Sequence, residues 1–391
     1  MEVKAVLRIK TGKVEAIRRF HPWVFSGALK GIDGEPKEGD LVRIETNHGA
    51  FLAIGHYGAG SIAARILSWE VELPDAAFWQ KRIASAWAYR TSLGFPTEYT
   101  NVFRLIHAEG DLCPGLIADY FDGVVVLEFH SAGMEQASEF ICGAIQKVLG
   151  ENLKAIIAGS KKGDGKMQVL NGEEPALPYT VLENNLKFQV DWRQGQKTGF
   201  FNDQRDNRRK LMDFVQGKKV LNMFSYTGAF SVYAKAGGAS EVISVDASKR
   251  AVELAKINMA ANGFSPDENP CIVSDAMEYL KVMPENEFDV IVLDPPAYAK
   301  RSDARHNAIQ GYKRLNAEAI SKLKSGGFLF TFSCSQVVER HHFNSAVMAG
   351  ALSSGRKVRV VDQLSQAPCH AHSFYHPEGF YLKGLILHVE S

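Results

Sequence analysis

At 391 residues the chain is longer than one small core can organise, so two or three domains are expected. A composition that is 46% hydrophobic and 23% charged is that of an ordinary folded protein, and 45 basic against 44 acidic side chains (net charge +1) exclude a uniformly basic surface; any polyanion must be held by local clusters. Five cysteines without paired spacing argue against a disulfide framework, Met1 to Arg8 lacks a signal-type apolar core, and no apolar run approaches the roughly 20 residues of a spanning helix, so a cytoplasmic protein with no membrane contact is expected.

The first part, to about residue 70, reads as small and all-β. Alternation over Glu2 to Ile9, turn residues at Gly31 to Pro36, then Asp40 to Ile44 and Phe51 to Gly55 give short strands with no useful helical period. Lys10, Lys13, Arg18, Arg19 and His21 precede Pro22-Trp23-Val24-Phe25, a mix of cations and aromatics suited to phosphate contact and base stacking. A second region opens at Pro74-Asp75, where Asp75 can cap a helix running to Leu93. Arg104 to His107 and Val124 to Phe129 read as strands on either side of a charged loop, followed by a helix from Ala132 to Leu149 and a strand near Ala155 to Ala158. Lys161, Lys162 and Lys166 fall in a Gly-rich loop read as solvated, and no metal spacing is present: His107 and Cys113 are too isolated.

A hairpin-like segment, Tyr179 to Val190 with Asn184-Asn185 as its turn, leads through Asp191 to Arg205 into a third region where strands and helices alternate. Strands are expected at Lys219 to Phe224, Glu241 to Val245, Cys271 to Ser274, Asp289 to Leu293, up to Phe332, at Val358 to Val361 and at Tyr381 to Val389, separated by helices. This order predicts an α/β, doubly wound, mostly parallel sheet. In such a sheet ligands sit beyond the carboxyl ends of the strands, so the loops that follow the strands are the candidates for chemistry.

Asn222 to Phe230 carries a single Gly between strand and helix, which can bring backbone N-H groups to a ligand carboxylate; it is not Gly-x-Gly-x-x-Gly, so dinucleotide binding loses its main support. Asp246 ends the next strand, where a carboxylate can accept both hydroxyls of a ribose. Asp275, or the amide of Ala276 after it, can read an adenine edge, and Asp294 ends the fourth strand in Asp294-Pro295-Pro296-Ala297-Tyr298. A lone strand-terminal Asp is more often a turn former, but three on successive strands suggest a nucleoside with a short charged tail. A thiol, Cys334 in Thr331-Phe332-Ser333-Cys334-Ser335, ends the strand after that.

These residues resemble a known family. Phe224-Ser225-Tyr226-Thr227-Gly228, Val245-Asp246, Asp294-Pro295-Pro296, Phe332-Ser333-Cys334-Ser335 and Tyr375-His376-Pro377-Glu378-Gly379-Phe380-Tyr381-Leu382-Lys383-Gly384 are similar to the class I S-adenosylmethionine-dependent methyltransferases that make 5-methylcytosine in large-subunit ribosomal RNA. His21-Pro22-Trp23-Val24-Phe25 with Gly39-Asp40-Leu41-Val42 is similar to that family's N-terminal PUA domain, and the Glu109 to Leu116 region to its central α+β domain. The resemblance implies a Rossmann-like methyltransferase sheet preceded by these two domains, with bounds 1–72, 73–183 and 184–391. It implies S-adenosylmethionine as cofactor, held by Lys197, Phe201, Gln204, Phe224, Tyr226, Gly228, Asp246, Asp275, Ala276 and Asp294, with Thr198 to Arg205 covering it. Asn202 there stands in place of the family's usual apolar residue. The implied partner is large-subunit ribosomal RNA, naked or partly assembled; a homodimer is left open.

Cytosine C5 is a poor nucleophile, and thiolate addition at C6 makes it an enamine carbon, so the family's chemistry assigns Cys334 as nucleophile and Asp294 as the group holding the ring. The thiol needs a nearby cation or helix N-terminus, for which Lys300, Arg301, Lys313 and Arg314 are candidates. The same four, with Arg18 and Arg19, are the candidate RNA contacts; Arg305 and the run Arg205, Arg208, Arg209, Lys210 could extend a phosphate rim. Many related RNA enzymes carry a second Cys after the first Pro of the fourth-strand loop, where Pro296 stands here, so the base that removes the C5 proton is unassigned. Ala297 in place of an aromatic residue weakens an exocyclic-amine methyltransferase. The alternatives kept are a ribosomal RNA guanine-N7 methyltransferase, which needs no thiol, and a non-catalytic RNA-binding protein with a degenerate methyltransferase domain.

Overall fold

The structure is a computed structural model, and it describes residues 2–159, 167–299 and 301–391. Lys161, Lys162, Lys166 and Lys300 lie outside the described residues. The chain divides into two compact units: Met1–Ala176 with Trp192–Thr198 and Pro368–Gly379, and Leu177–Asp191 with Gly199–Ala367 and Phe380–Ser391.

The first unit holds two sheets. One has six strands in the order Trp23–Phe25, Ile62–Ser68, Phe51–Tyr57, Leu41–Thr46, Ala5–Ile9, Leu29–Asp33. Ala5, Leu7 and Ile9 alternate with half-exposed neighbours and point into a core shared with Val24, Val42, Ile44 and Ile66, as a half-buried strand should. The expected turn at Gly31 to Pro36 begins inside Leu29–Asp33, an edge strand exposed along nearly its whole length; without an apolar face it gives no alternation to read. One turn of helix, Val14–Arg18, interrupts what reads as all-β. The second sheet has five strands, Met167–Gly172, Ala155–Gly159, Val124–Phe129, Leu116–Phe121 and Val102–His107 in that order. Its helix Ala76–Ser92 starts where expected, with the Asp75 carboxylate accepting the Phe78 amide at 2.9 Å. The single helix expected over Ala132 to Leu149 breaks at Ala137 into Ala132–Gln136 and Ser138–Leu149.

The second unit begins with a hairpin, Tyr179–Glu183 and Leu186–Val190, and then builds a seven-stranded sheet. Its strands are β1 (Lys219–Met223), β2 (Glu241–Asp246), β3 (Cys271–Val273), β4 (Val290–Leu293), β5 (Gly327–Ser333), β6 (Val358–Leu364) and β7 (Lys383–Val389), in the spatial order 3-2-1-4-5-7-6. β1 to β5 are parallel, and β7 is antiparallel to both β5 and β6. Alternate residues serve opposite faces: Leu221, Val245, Ile291 and Leu329 pack on Leu280, Leu315 and Phe343 of the helices on one side, while Val220, Val242, Val292 and Phe330 pack on Leu211 and Phe230 on the other. This is a Rossmann-like, doubly wound sheet. The register fixes the site: Met223 faces Val245 and Leu293, and Leu293 faces Thr331, so the loops leaving β2, β1, β4 and β5 emerge from one edge. No helix of the described residues is long and apolar enough to cross a membrane.

Candidate active site

Beyond β1 the turn Phe224 to Gly228 takes positive φ at three residues, Phe224 (57°), Tyr226 (45°) and Gly228 (75°). At Gly228 a Cβ would lie 2.9 Å from the Cβ of Ala255, so the helix Lys249–Ala261 can press on the turn only because the residue is glycine. Asp246 locks this turn to β2: its carboxylate accepts the Tyr226 amide at 2.9 Å and the Ser248 amide at 2.8 Å. Asp275 caps the helix Ala276–Val282, one oxygen accepting the Met277 amide at 2.9 Å and the Glu278 amide at 3.1 Å, which is the turn-former role weighed for it above. Its charge also reaches Tyr298, whose hydroxyl burial, seconded by Asp275, pushes up to about 12. The two therefore lie near one another, and Ala276, next to Asp275 in sequence, is buried.

The segment Gly199 to Gln204 lies over the β1 turn. Tyr226 donates its hydroxyl to the Gly199 carbonyl at 3.3 Å, and the rings of Phe201 and Tyr226 meet edge to face at 5.0 Å. Gln204 is buried, its carbonyl taken by the Asn207 amide at 2.6 Å, and its Nε2 has no partner; Ser225 Oγ is likewise buried and unpartnered. Two buried polar atoms left unsatisfied in this way fit a site made for a polar ligand. Lys197 belongs to the first unit.

Asp294 is half-buried at the end of β4, and the loop after it runs beside Cys334. The Cys334 thiol, half-buried, donates to the Pro295 carbonyl at 3.9 Å. Its neighbours hold it in place: Ser335 Oγ donates to the Ala299 carbonyl at 2.6 Å, and Ser333 Oγ donates to Tyr312 Oη at 2.9 Å. Tyr298 stacks on Tyr312 with centroids 4.7 Å apart, over Gly311, where a Cβ would come within 2.9 Å of its ring. The sulfur is thus neither sealed in hydrocarbon nor turned from the edge where the loops meet.

The cation expected beside the thiol comes from a residue given no role in the sequence. Lys383 at the start of β7 is 3% exposed, and its Nζ donates to the Ser335 carbonyl at 2.6 Å. Burial pushes its ammonium down to about 8, while the charge of Cys334 acts the other way. A lysine inside the apolar run Leu382 to Leu387 was the readable signal. Of the candidates, Arg301 turns outward to Asp303 at 2.8 Å with four-fifths of its side chain exposed, Lys313 is half-buried on the helix Arg305–Lys322, and Arg314 beside it is exposed. Of the expected phosphate rim, Arg205 and Arg208 need correction, whereas Arg209 is exposed beside Asp213 and Lys210 is half-exposed beside Asp362. Arg208 is fully buried in a bidentate pair with Glu183 (2.7 and 2.8 Å) and donates to the Phe201 carbonyl at 2.9 Å, while Arg205 is buried beside Asp206. Those two side chains, packed under the covering segment, have no solvent to offer a phosphate. In the first unit Arg18 and Arg19 line an open cleft of about 580 Å³ with Phe20, His21, Phe374 and Tyr375.

Comparison with known proteins accounts for this arrangement. Residues 104–369 match the family described as S-adenosylmethionine-dependent methyltransferase, and residues 7–69 match a PUA-like domain. The chain is 39% identical over 390 residues to ribosomal RNA large subunit methyltransferase I of Pseudoalteromonas translucida, covering 97% of this chain and 98% of that protein. It is 38% identical over 385 residues to the protein of the same name from Aeromonas salmonicida, covering 96% and 97%. Among solved structures, SMU.776, described as a methyltransferase complexed with SAH, superposes with a TM-score of 0.88 at 22% identity over 98% of this chain and 99% of that one, and a SAM-dependent methyltransferase from Streptococcus mutans with a TM-score of 0.84 at 22% identity over 98% and 99%, a likeness of fold. The chain belongs to the S-adenosylmethionine-dependent methyltransferase family, carries a PUA-like domain at its N-terminal end, and uses S-adenosylmethionine as its cofactor.

Proposed function

We propose that this protein methylates C5 of a cytosine in large-subunit ribosomal RNA through a covalent adduct between Cys334 and C6 of the base. The observation that carries the reading is the meeting of the thiol with the Asp294-Pro295-Pro296 loop, Sγ 3.9 Å from the Pro295 carbonyl, at the edge where the cofactor loops emerge. The relatives named for ribosomal RNA large subunit methylation, similar along nearly the whole chain, supply the substrate class. When bound, the cofactor supplies an electrophilic methyl group on a sulfonium.

The chain's own residues do the rest. Phe224, Tyr226 and Gly228 shape the turn that receives the cofactor, Asp246 takes the ribose hydroxyls while holding that turn, Asp275 and Ala276 border the adenine, and Phe201 and Gln204 close over it. The Cys334 thiolate adds to C6, and the electron pair of the C5-C6 double bond moves towards C5, which then has the density to take a methyl group. Asp294 holds the polar edge of the ring as that charge develops. Loss of the C5 proton and expulsion of the thiolate from C6 restore the aromatic ring. Tyr298, turned onto Tyr312 and one residue beyond the position where amine methyltransferases stack the base, supports a ring carbon as the target over an exocyclic nitrogen.

The PUA-like domain over 1–72 and the central domain over 73–183 contribute to RNA binding, and the domain over 184–391 carries out methyl transfer. Arg18 and Arg19 on the first, and Arg301, Lys313 and Arg314 on the last, supply phosphate contacts. The test is incubation with tritiated cofactor and ribosomal RNA from cells lacking the protein, followed by nucleoside analysis. Label in 5-methylcytidine is expected, and its loss in Cys334→Ala with cofactor affinity retained. Label in 7-methylguanosine, or activity surviving in Cys334→Ala, overturns the reading.

A further inference from the structure

We infer that Lys383 is the counter-ion that keeps Cys334 ionised, a positioning residue acting through the sulfur. This rests on the covalent reading above but is tested apart from it. Lysine in the interior is costly unless its charge is matched. Lys383 pairs with Ser333 across β5 and β7, at the mouth of a strand whose next residues, Gly384 to Leu387, are apolar and buried. Among the described residues no carboxylate pairs with it; its hydrogen bond goes to the carbonyl of Ser335, the residue after Cys334. The charged groups that act on it are Cys334, which favours the ammonium, and Arg340, which opposes it from the start of the helix Arg340–Ser354. Arg340 is itself engaged, donating to the Leu364 carbonyl at 3.0 Å and lying over Phe380. Tyr312, the third ionisable group at the thiol, is pushed up by burial and stays a neutral hydroxyl. A buried ammonium with a half-buried guanidinium also acting on it makes a site whose missing charge is a negative one, and the Cys334 thiolate supplies it.

The step balances. The S-H bond of Cys334 breaks, its proton passes to solvent, the electron pair stays on sulfur, and the ammonium of Lys383, already protonated, offsets the new negative charge without taking the proton, so no co-reactant is needed. The thiolate is then present before the base arrives, and it is restored when the C6-S bond breaks. A purely structural role is the competing account, in which Lys383 merely ties the Ser335 carbonyl to β7. That role would leave the reactivity of the sulfur unchanged.

The experiment measures alkylation of Cys334 by iodoacetamide as a function of pH, read by peptide mass spectrometry, in the full chain and in Lys383→Met and Lys383→Arg. The other cysteines do not interfere, since peptides separate them and Cys113, Cys142 and Cys369 are buried. Lys383→Met keeps an unbranched chain one atom shorter and removes the charge; it is expected to slow alkylation at pH 7 about tenfold and to move the midpoint upward by about one pH unit. Lys383→Arg is expected to restore the low midpoint, and calorimetric cofactor affinity should be unchanged in both. A Lys383→Met profile that superposes on the wild type, with cofactor still bound, overturns the inference. Should Lys383→Met lose the cofactor through misfolding, Lys383→Arg decides: a midpoint like that of an unperturbed thiol overturns it. Methyl transfer by Cys334→Ala would sink the covalent reading without touching this result.

Discussion

The buried pair Arg208 and Glu183 lets one substitution test both packing and cofactor closure. Glu183 is 0% exposed and Arg208 2%; three hydrogen bonds of 2.7 to 2.9 Å join them, and Tyr233 adds a fourth to the carboxylate at 3.0 Å. Arg208→Met removes the cation and leaves a carboxylate in the interior with one hydroxyl for company. Breaking a buried ion pair from one side costs about 3–5 kcal/mol, because the orphaned charge keeps its desolvation penalty. With a urea slope of about 2–3 kcal/mol/M this lowers the unfolding midpoint of the second unit by roughly 1–2 M. All five tryptophans, Trp23, Trp69, Trp79, Trp87 and Trp192, lie in the first unit, so their fluorescence is blind to this change. Hydrogen exchange of peptides spanning 183 and 205–211, alongside circular dichroism, is the assay. Neutralising both partners in Glu183→Gln/Arg208→Met should recover about 2 kcal/mol or more of the loss, since no charge is then stranded. Arg208 also donates to the carbonyl of Phe201, so cofactor affinity should fall in the single variant. A single variant that loses less than about 1 kcal/mol and keeps full cofactor affinity would refute the reasoning.

Three other outcomes are expected. Burial pushes His56 down to about 4, so it folds as a neutral ring; the unfolded chain binds a proton below about 6.5, and the first unit should lose about 3 kcal/mol between pH 6.5 and 4, with no further loss from this group below that. Tryptophan fluorescence during urea unfolding follows it, and His56→Asn should flatten the slope. Asp246→Ala removes the acceptor of the Tyr226 and Ser248 amides as well as the proposed ribose contact, so calorimetry should show cofactor affinity at least about tenfold weaker; unchanged affinity takes Asp246 out of the site. Arg19→Gln should weaken ribosomal RNA binding and reduce the salt slope by roughly 0.7–0.9, and Phe20→Ala, which removes a half-exposed ring from the same cleft, should weaken binding without changing that slope. Equal slopes for Arg19→Gln and wild type would mean that the side chain meets no phosphate.

The sheet was legible because both of its faces are covered. Val290 to Leu293 and Gly327 to Phe332 are continuous apolar runs that stop at polar loop residues, and so their ends, Asp294 and Cys334, announced themselves. Asp246 and Asp275 showed in the same way, though the structure gives Asp275 the duty of a helix cap. What stayed hidden depends on partners distant in sequence. Arg208 sits in a basic run that looks solvated, and only Glu183, 25 residues earlier, turns it inward. Leu29–Asp33 has no buried face, so its pairing with Ala5–Ile9 leaves no periodic trace.

Lys383 shows the same limit at the thiol. The cation was sought on the loop following Asp294, among residues close in sequence to the chemistry, whereas the structure supplies it 49 positions beyond Cys334, on the strand that reverses direction to pair with β5. Antiparallel insertion of β7 between β5 and β6 is what makes this reach possible. A parallel neighbour would bring its carboxyl end to that edge, with the loop that follows it, while β7 brings its amino end, and Lys383 is its first residue. A side chain there is held by the strand itself and not by a mobile loop, so its charge is fixed relative to the sulfur before any substrate binds. The topology thus places a cation held by a strand at the edge with the loops proposed to receive cofactor and base, and the pH dependence of Cys334 alkylation should report on the fold as directly as on the reaction.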